Sequence, residues 1–199
     1  MPLSIVEVGD PVLRRVARAL SQEEIRSPEI QKLIGQMRET MHEAPGVGLA
    51  APQVGHAIQL AVIEDREQYH KDIAPEQLAA KERRRVPFHV LINPRVVWQS
   101  EDTREFFEGC LSLPGYTAIV RRAHAVKVEC LDETGNSRSI DANGWYARIL
   151  QHEIDHLQGH LYIDRMEMRS FSSLDNFSEF WKNLPPAVVL RQIKQGTDG

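Results

Sequence analysis

Two cysteines, Cys110 and Cys130, are all that 199 residues contain. That is too few for a disulfide framework, so a reducing compartment is the default. No apolar run approaches the ~20 residues that a membrane-spanning helix requires, and no membrane partner is expected. Basic residues are not in excess: 24 Lys and Arg against 28 Asp and Glu give a net charge of −4, which argues against an electrostatic nucleic-acid surface. The opening Met1-Pro2-Leu3-Ser4 has no charged stretch followed by an apolar core, so no secretory signal is expected. Internal repeats and low-complexity tracts are absent. What remains is a length suited to one globular unit with a sizeable core.

Within that ordinary composition, Gln151-His152-Glu153-Ile154-Asp155-His156-Leu157 stands out. On a helix, His152 and His156 are one turn apart and leave the same face, a spacing that chelates a metal. Glu153 lies at the edge of the same site, where a carboxylate takes a proton from water without being a ligand. Without a metal the two histidines would be a plain surface or core pair. The apolar helical setting and the adjacent glutamate favour the metal. Asn143 is the expected N-cap and Gly159 the expected stop. Trp145 and Ile149 continue the histidine face, while Leu150, Ile154 and Leu157 predict burial on most other sides.

A second helix is predicted over residues 28–42, capped by Ser27 with Pro28 at its first position. Strands are expected at residues 4–8, 58–63, 88–98, 105–107, 116–120, 125–131 and 137–141, the last two as a hairpin. Asn93-Pro94 is expected to break its strand or mark a sheet edge. A short helix from Pro75 and a solvated Arg83-Arg84-Arg85 cluster fill the polar connection before residue 86. Residues 46–55, rich in glycine and alanine, read as a segment that lets another backbone approach closely, not as a core strand. Ser172 or Ser173 caps a short helix through Trp181, before Pro185-Pro186, and residues 195–199 are expected to fray. This order indicates an α+β fold, with mostly antiparallel sheets packed around a central metal-binding helix.

Two histidines leave a tetrahedral ion short of a further protein ligand. The candidates are Cys110, Cys130 and any distant His, Asp or Glu. Cys130 shares a strand face with Val126 and Val128 and reads as a small buried hydrophobe. Cys110 lies in Glu108-Gly109-Cys110-Leu111-Ser112-Leu113-Pro114-Gly115, between strands.

Gly46-x-Gly48-x-Ala50-Ala51-x-Gln53, Glu108-Gly109-Cys110-x-Ser112 and Gln151-His152-Glu153-x-Asp155-His156 together resemble the three signature motifs of the peptide deformylases. They stand in that family's order and at similar separations. The resemblance runs from about Ile5 to Arg169, and the Gly144-Trp145 helix start looks like the organellar-type branch. It implies a catalytic domain over residues 1–169 and an extension, 170–199, packed on that domain or on a second subunit. It further implies a hydrolase that removes the formyl group from N-formylmethionine at the start of nascent peptides, releasing formate. Cys110, His152 and His156 would hold one divalent ion per chain, commonly iron(II), replaceable by zinc, nickel or cobalt. Glu153 would act as general base and then acid, with the Gln53 amide and the Leu111 backbone N–H donating to the formyl oxygen. Gly46, Val47 and Gly48 would line an extended peptide, and Trp145 and Ile149 a methionine pocket. The implied partner is the N-formylmethionyl nascent peptide, and the ribosome exit region and a homodimer stay open. The implied compartment is the bacterial cytoplasm, or a mitochondrion or plastid.

Two rivals of other classes share some of these residues. A zincin-type endopeptidase would need a downstream ligand such as Glu167, His160 being too close beyond Gly159. A non-enzymatic metal-binding, ribosome-associated module would need neither Glu153 nor Gln53.

Overall fold

Serine caps open the first two helices. Ser21 and Glu24 form a reciprocal capping box on α1 (Gln22–Ile25), and Ser27 caps α2 (Pro28–Glu43) with Pro28 at its first position. The short β1 (Gly48–Ala50) and β2 (Leu60–Asp65) lead through α3 (Pro75–Ala80) into the long β3 (Val86–Gln99). Two hairpins follow, β4 (Thr103–Cys110) with β5 (Leu113–Ala123), and β6 (Ala125–Leu131) with β7 (Ser137–Asn143). After α4 (Gly144–Leu157) come β8 (Ser172–Ser173), α5 (Leu174–Asn176) with a π-helical turn at Phe177–Trp181, and α6 (Pro186–Gln195). This computed structural model describes residues 2–195.

The strands form two antiparallel sheets, β1-β2-β3-β6-β7 and β4-β5-β8. Alternation along β2 shows how the larger sheet is sandwiched. Leu60 and Val62 pack with Leu33, Ile34, Met37 and Met41 of α2, while Ala61 and Ile63 pack with Leu150, Ile154 and Leu157 of α4. On β3, Val90 and Ile92 face the α2 side and Leu91 the α4 side. Helix α4 touches strands of both sheets, β5 among them, which makes it the central helix the sequence indicates. Cutting a buried leucine such as Leu150 to alanine here would cost roughly 2–5 kcal/mol.

Several local expectations are corrected. Residues 4–8 form no strand: Val6 N–H donates to Gln53 O at 2.9 Å and Val8 N–H to Ser112 O at 2.8 Å, so the extended chain stitches two different segments and builds no ladder. Within residues 46–55, Gly48–Ala50 is a strand after all, buried throughout and followed by a 3₁₀ turn at Ala51–Val54. Gly48 and Ala50 are small because α4 crosses close above their face, whereas Leu49 packs on the opposite, α2 side. Asn93-Pro94 does not break β3. It forms a bulge where Asn93 adopts φ +50° and the strand changes partner from β2 to β6. The Asn93 side chain pins Leu20 by two hydrogen bonds, of 2.9 and 2.8 Å.

Asn143 occupies the N-cap of α4 without capping it, because its amide donates to Glu82 Oε2 at 2.8 Å. Gly144 enters the helix at φ +58°, and its N–H and that of Trp145 are satisfied by the carbonyls of His124 and Lys81. Of the arginine cluster, Arg84 and Arg85 are exposed, but Arg83 grips the fully buried Asp65 with two bonds of 2.7 and 2.9 Å. Ser173 is the cap near the end, accepting from Asn176 N–H at 3.3 Å. The fraying expected at residues 195–199 falls, apart from Gln195, outside the described residues.

Candidate metal centre

The β4–β5 hairpin and helix α4 meet at three donor atoms. Cys110 ends β4 and pairs with Leu113 across a turn made of Leu111 and Ser112. Its Sγ is 3.3 Å from His156 Nε2, which is 3.2 Å from His152 Nε2, and all three donors lie within 4.8 Å of one another. Bonds of about 2.0–2.1 Å to nitrogen and 2.3 Å to sulfur, at tetrahedral angles, put donors roughly 3.3–3.6 Å apart. The two spacings to His156 Nε2 match the edges of such a tetrahedron. Burial lowers the His152 pKa, yet hydrogen bonds to Cys110 and Glu108 and their negative charge carry it well above the ordinary value. Burial, with cationic His152 and Arg122 nearby, pushes His156 well below its ordinary value. Three donors converge on one point, and a thiolate with two imidazoles suits a divalent metal. Cys130 stays apart, a thiol that burial pushes up to about 11. His160 is exposed, and among the described residues neither it nor Glu167 joins the cluster.

Behind the donors lies a buried charge network that the sequence did not reveal. Glu108 Oε2 is 3.1 Å from His152 Nδ1, which leaves Nε2 of that ring facing the donor cluster. The same carboxylate receives Arg122 at 3.0 and 2.9 Å and Arg148 at 2.5 Å. Arg122 continues to Asp155, which also holds Arg165 by two bonds of 2.8 Å. Burial would raise the Glu108 pKa, but the His152 hydrogen bond and the Arg122 charge outweigh it and hold the carboxyl far below the usual range. Glu108 and Asp155 sit inside the motifs, which was the available signal. Arg122 and Arg148 gave none beyond being charged residues among apolar neighbours.

Glu153 follows His152 on α4, is 3 % exposed, and keeps Oε2 without a hydrogen-bond partner. Burial raises its carboxyl to about 7 in spite of His152 and Arg122. A buried carboxyl poised near neutrality suits a general base. Gln53 is oriented by Ala50 N–H, which donates to Oε1 at 2.9 Å, so that Nε2 faces Cys110 Sγ at 3.4 Å and Ser112 Oγ at 3.3 Å. A cleft of about 490 Å³ opens onto this centre. Gly46, Val47 and Gly48 form one side, Leu111 lies beside Cys110, and Trp145 and Ile149 line the wall given by α4. Every site residue read from the sequence therefore touches one cleft, except His156, which is buried beneath it.

A three-donor centre opening onto a cleft, with a buried carboxylate beside it on the same helix, defines a metallohydrolase-type site. The polypeptide deformylase family model matches residues 2–171, and the chain belongs to that family, which is metal-dependent. It is 45% identical over 172 residues to "Peptide deformylase 1A, chloroplastic" of Solanum lycopersicum, a match covering 86% of this chain and 62% of the tomato protein. "Peptide deformylase 3" of Streptomyces avermitilis is 44% identical over 185 residues, 93% of this chain and 80% of that protein. A class I type b peptide deformylase from Acinetobacter baumannii, crystallised with Met-Ala-Ser bound, superposes with a TM-score of 0.75 at 32% identity, covering 83% of this chain and 99% of the other. The chain thus spans somewhat under two thirds of its tomato relative and four fifths of the bacterial one. No helix among the described residues is long and apolar enough to cross a membrane.

Proposed function

We propose that this chain removes the formyl group from N-formylmethionine at the start of nascent peptides, releasing formate and a free amine. The observation that carries the reading is the convergence of Cys110, His152 and His156 beside the buried carboxylate of Glu153. A divalent ion held by those three donors supplies Lewis acidity, lowering the pKa of water and polarising a carbonyl. Iron(II) is the ion the family resemblance suggests, and the donor set accommodates zinc, nickel or cobalt as well.

The protein's own groups do the rest. Glu153 takes the proton of the attacking water at its carboxylate and passes it to the methionine nitrogen as the C–N bond breaks. Gln53 Nε2 and the Leu111 backbone N–H donate to the formyl oxygen as charge grows there, and losing one such donor costs about 3–4 kcal/mol of barrier. The backbone of Gly46 and Val47 leads into Gly48 of the edge strand β1, which among the described residues pairs with β2 alone, a place for an extended peptide to add. Trp145 and Ile149 wall the pocket for the methionine side chain. Residues 1–169 correspond to the catalytic unit and 170–199 to an extension, of which the described part packs on that unit, supported by the pairing of β8 with β5 and the buried Val189 of α6. The ribosome exit region is the partner that presents the substrate, and the bacterial cytoplasm the compartment, although relatives include plastid and mitochondrial proteins.

Formate release is the test. Protein loaded with iron or nickel is given formyl-Met-Ala-Ser, its acetyl analogue, and an unblocked longer peptide. The formyl carbon bears only hydrogen, where an acetyl methyl would crowd the centre, so the formyl peptide is turned over far faster. Internal cleavage of the longer peptide without formate release would point to an endopeptidase instead.

A further inference from the structure

The cleft has one wall that the three motifs do not supply. Leu174, from the segment after β8, lines it together with Phe107, Pro114 and Tyr116 of the β4–β5 hairpin. The placement is built. Ser172 and Ser173 pair with Thr117 and Tyr116, and Phe177 packs on Phe107 with ring centroids 4.7 Å apart. Thr117 anchors the hairpin beneath by donating to Glu108 O at 2.7 Å. Leu174 is nonetheless 47% exposed, and Tyr116 beside it is 44% exposed and stacked at 5.1 Å on the equally open Phe171. This apolar shelf is continuous with the cleft, and these residues bring no charge to it; of the charged residues lining the cleft, Glu108, Arg148 and Glu153 are buried and Arg83 is held by Asp65.

We infer that Leu174, held by the β8 pairing, is a specificity-determining residue: it reads an apolar side chain of the substrate downstream of the formylmethionine. This rests on the deformylase reading. A peptide whose first side chain fills the Trp145–Ile149 pocket must continue out of the same cleft, and an extended chain presents successive side chains to opposite sides. Continuity with the cleft identifies the shelf's occupant as the substrate itself. An apolar side chain covers Leu174 and Tyr116 and removes apolar surface from water, whereas a carboxylate there loses hydration without gaining a partner.

The experiment uses the metal-loaded full chain and formyl-Met-X-Ser-Ser and formyl-Met-Ser-X-Ser, with X as Leu, Glu or Lys. At one of the two positions, wild type favours Leu over Glu in kcat/KM by about fivefold or more. Leu174→Ala shrinks that ratio, and Leu174→Glu raises Lys above Glu at the same position. The deformylated peptides, added as competitors, rank in the same order. A wild type without preference at either position, or a ratio unmoved in both variants, overturns the inference while formate release leaves the deformylase reading standing. No formate from any peptide would overturn both.

Discussion

A Cβ placed on Gly48 would lie 2.2 Å from Glu153 Oε1. The edge strand and the central helix therefore approach so closely that the carboxylate occupies the space any side chain would need. The glycine of the first motif is there for the glutamate of the third. Gly48→Ala should displace Glu153 and slow turnover about 10²-fold or more, the scale of a misplaced catalytic group. Metal content should stay at the wild-type level. Formate assays paired with elemental analysis check this, and full activity in the variant would contradict it.

The two cysteines should part company. Cys110→Ala removes a donor of the three-atom cluster and should abolish tight metal binding. Cys130 is 5% exposed on the inner face of β6, so Cys130→Ala should keep the metal and cost about 1 kcal/mol of packing. Equal metal content in both variants would overturn the ligand assignment.

Glu108 should matter twice. Glu108→Gln leaves the buried Arg122 and Arg148 poorly compensated and removes the charge and one of the two acceptor oxygens that they share with the His152 ring. Stability should fall by about 3–5 kcal/mol. Metal affinity should fall about 10–100-fold. Thermal melts and metal titrations read the two effects separately, and a variant with native melting would show the network to be slack.

Lys81 gives a pH signature away from the centre. Burial, and then the charges of Arg83 and Arg148, lower its pKa from 10.5 to about 8. Between those values the unfolded chain holds the extra proton, so this group's contribution to stability rises with pH, and below about 8 its penalty is constant. Its ammonium lies 4.5 Å from the Trp145 ring centre, a contact worth about 0.5–1 kcal/mol, less than the penalty. Lys81→Met should therefore be more stable at pH 7 by on the order of 1–2 kcal/mol. The difference from wild type should close as pH approaches 10. A difference independent of pH would contradict the burial argument.

The sequence carried the centre further than the fold around it. His152, Glu153 and His156 were legible because helical spacing alone puts them on neighbouring faces. Cys110 and Gln53 needed the family resemblance, since each comes from a turn whose position no periodicity sets. β1 was missed because Gly48 and Ala50 lack the side chains that mark strands, and the reason is spatial, the approach of α4. Asn93-Pro94 looked like a breaker because a bulge and a strand end share the same residues. Arg83, Arg122 and Arg148 were illegible as buried cations, because a buried arginine is defined by distant carboxylates, Asp65 and Glu108, that sequence does not place beside it.

The most direct measurement replaces Glu153 by Gln, which keeps size and hydrogen bonding and removes the base. Metal content and the binding of Met-Ala-Ser should match wild type, while formate release from formyl-Met-Ala-Ser falls by about 10²–10⁴-fold. Turnover within a few-fold of wild type, with the metal still bound, would show that Glu153 is not the group that moves the proton.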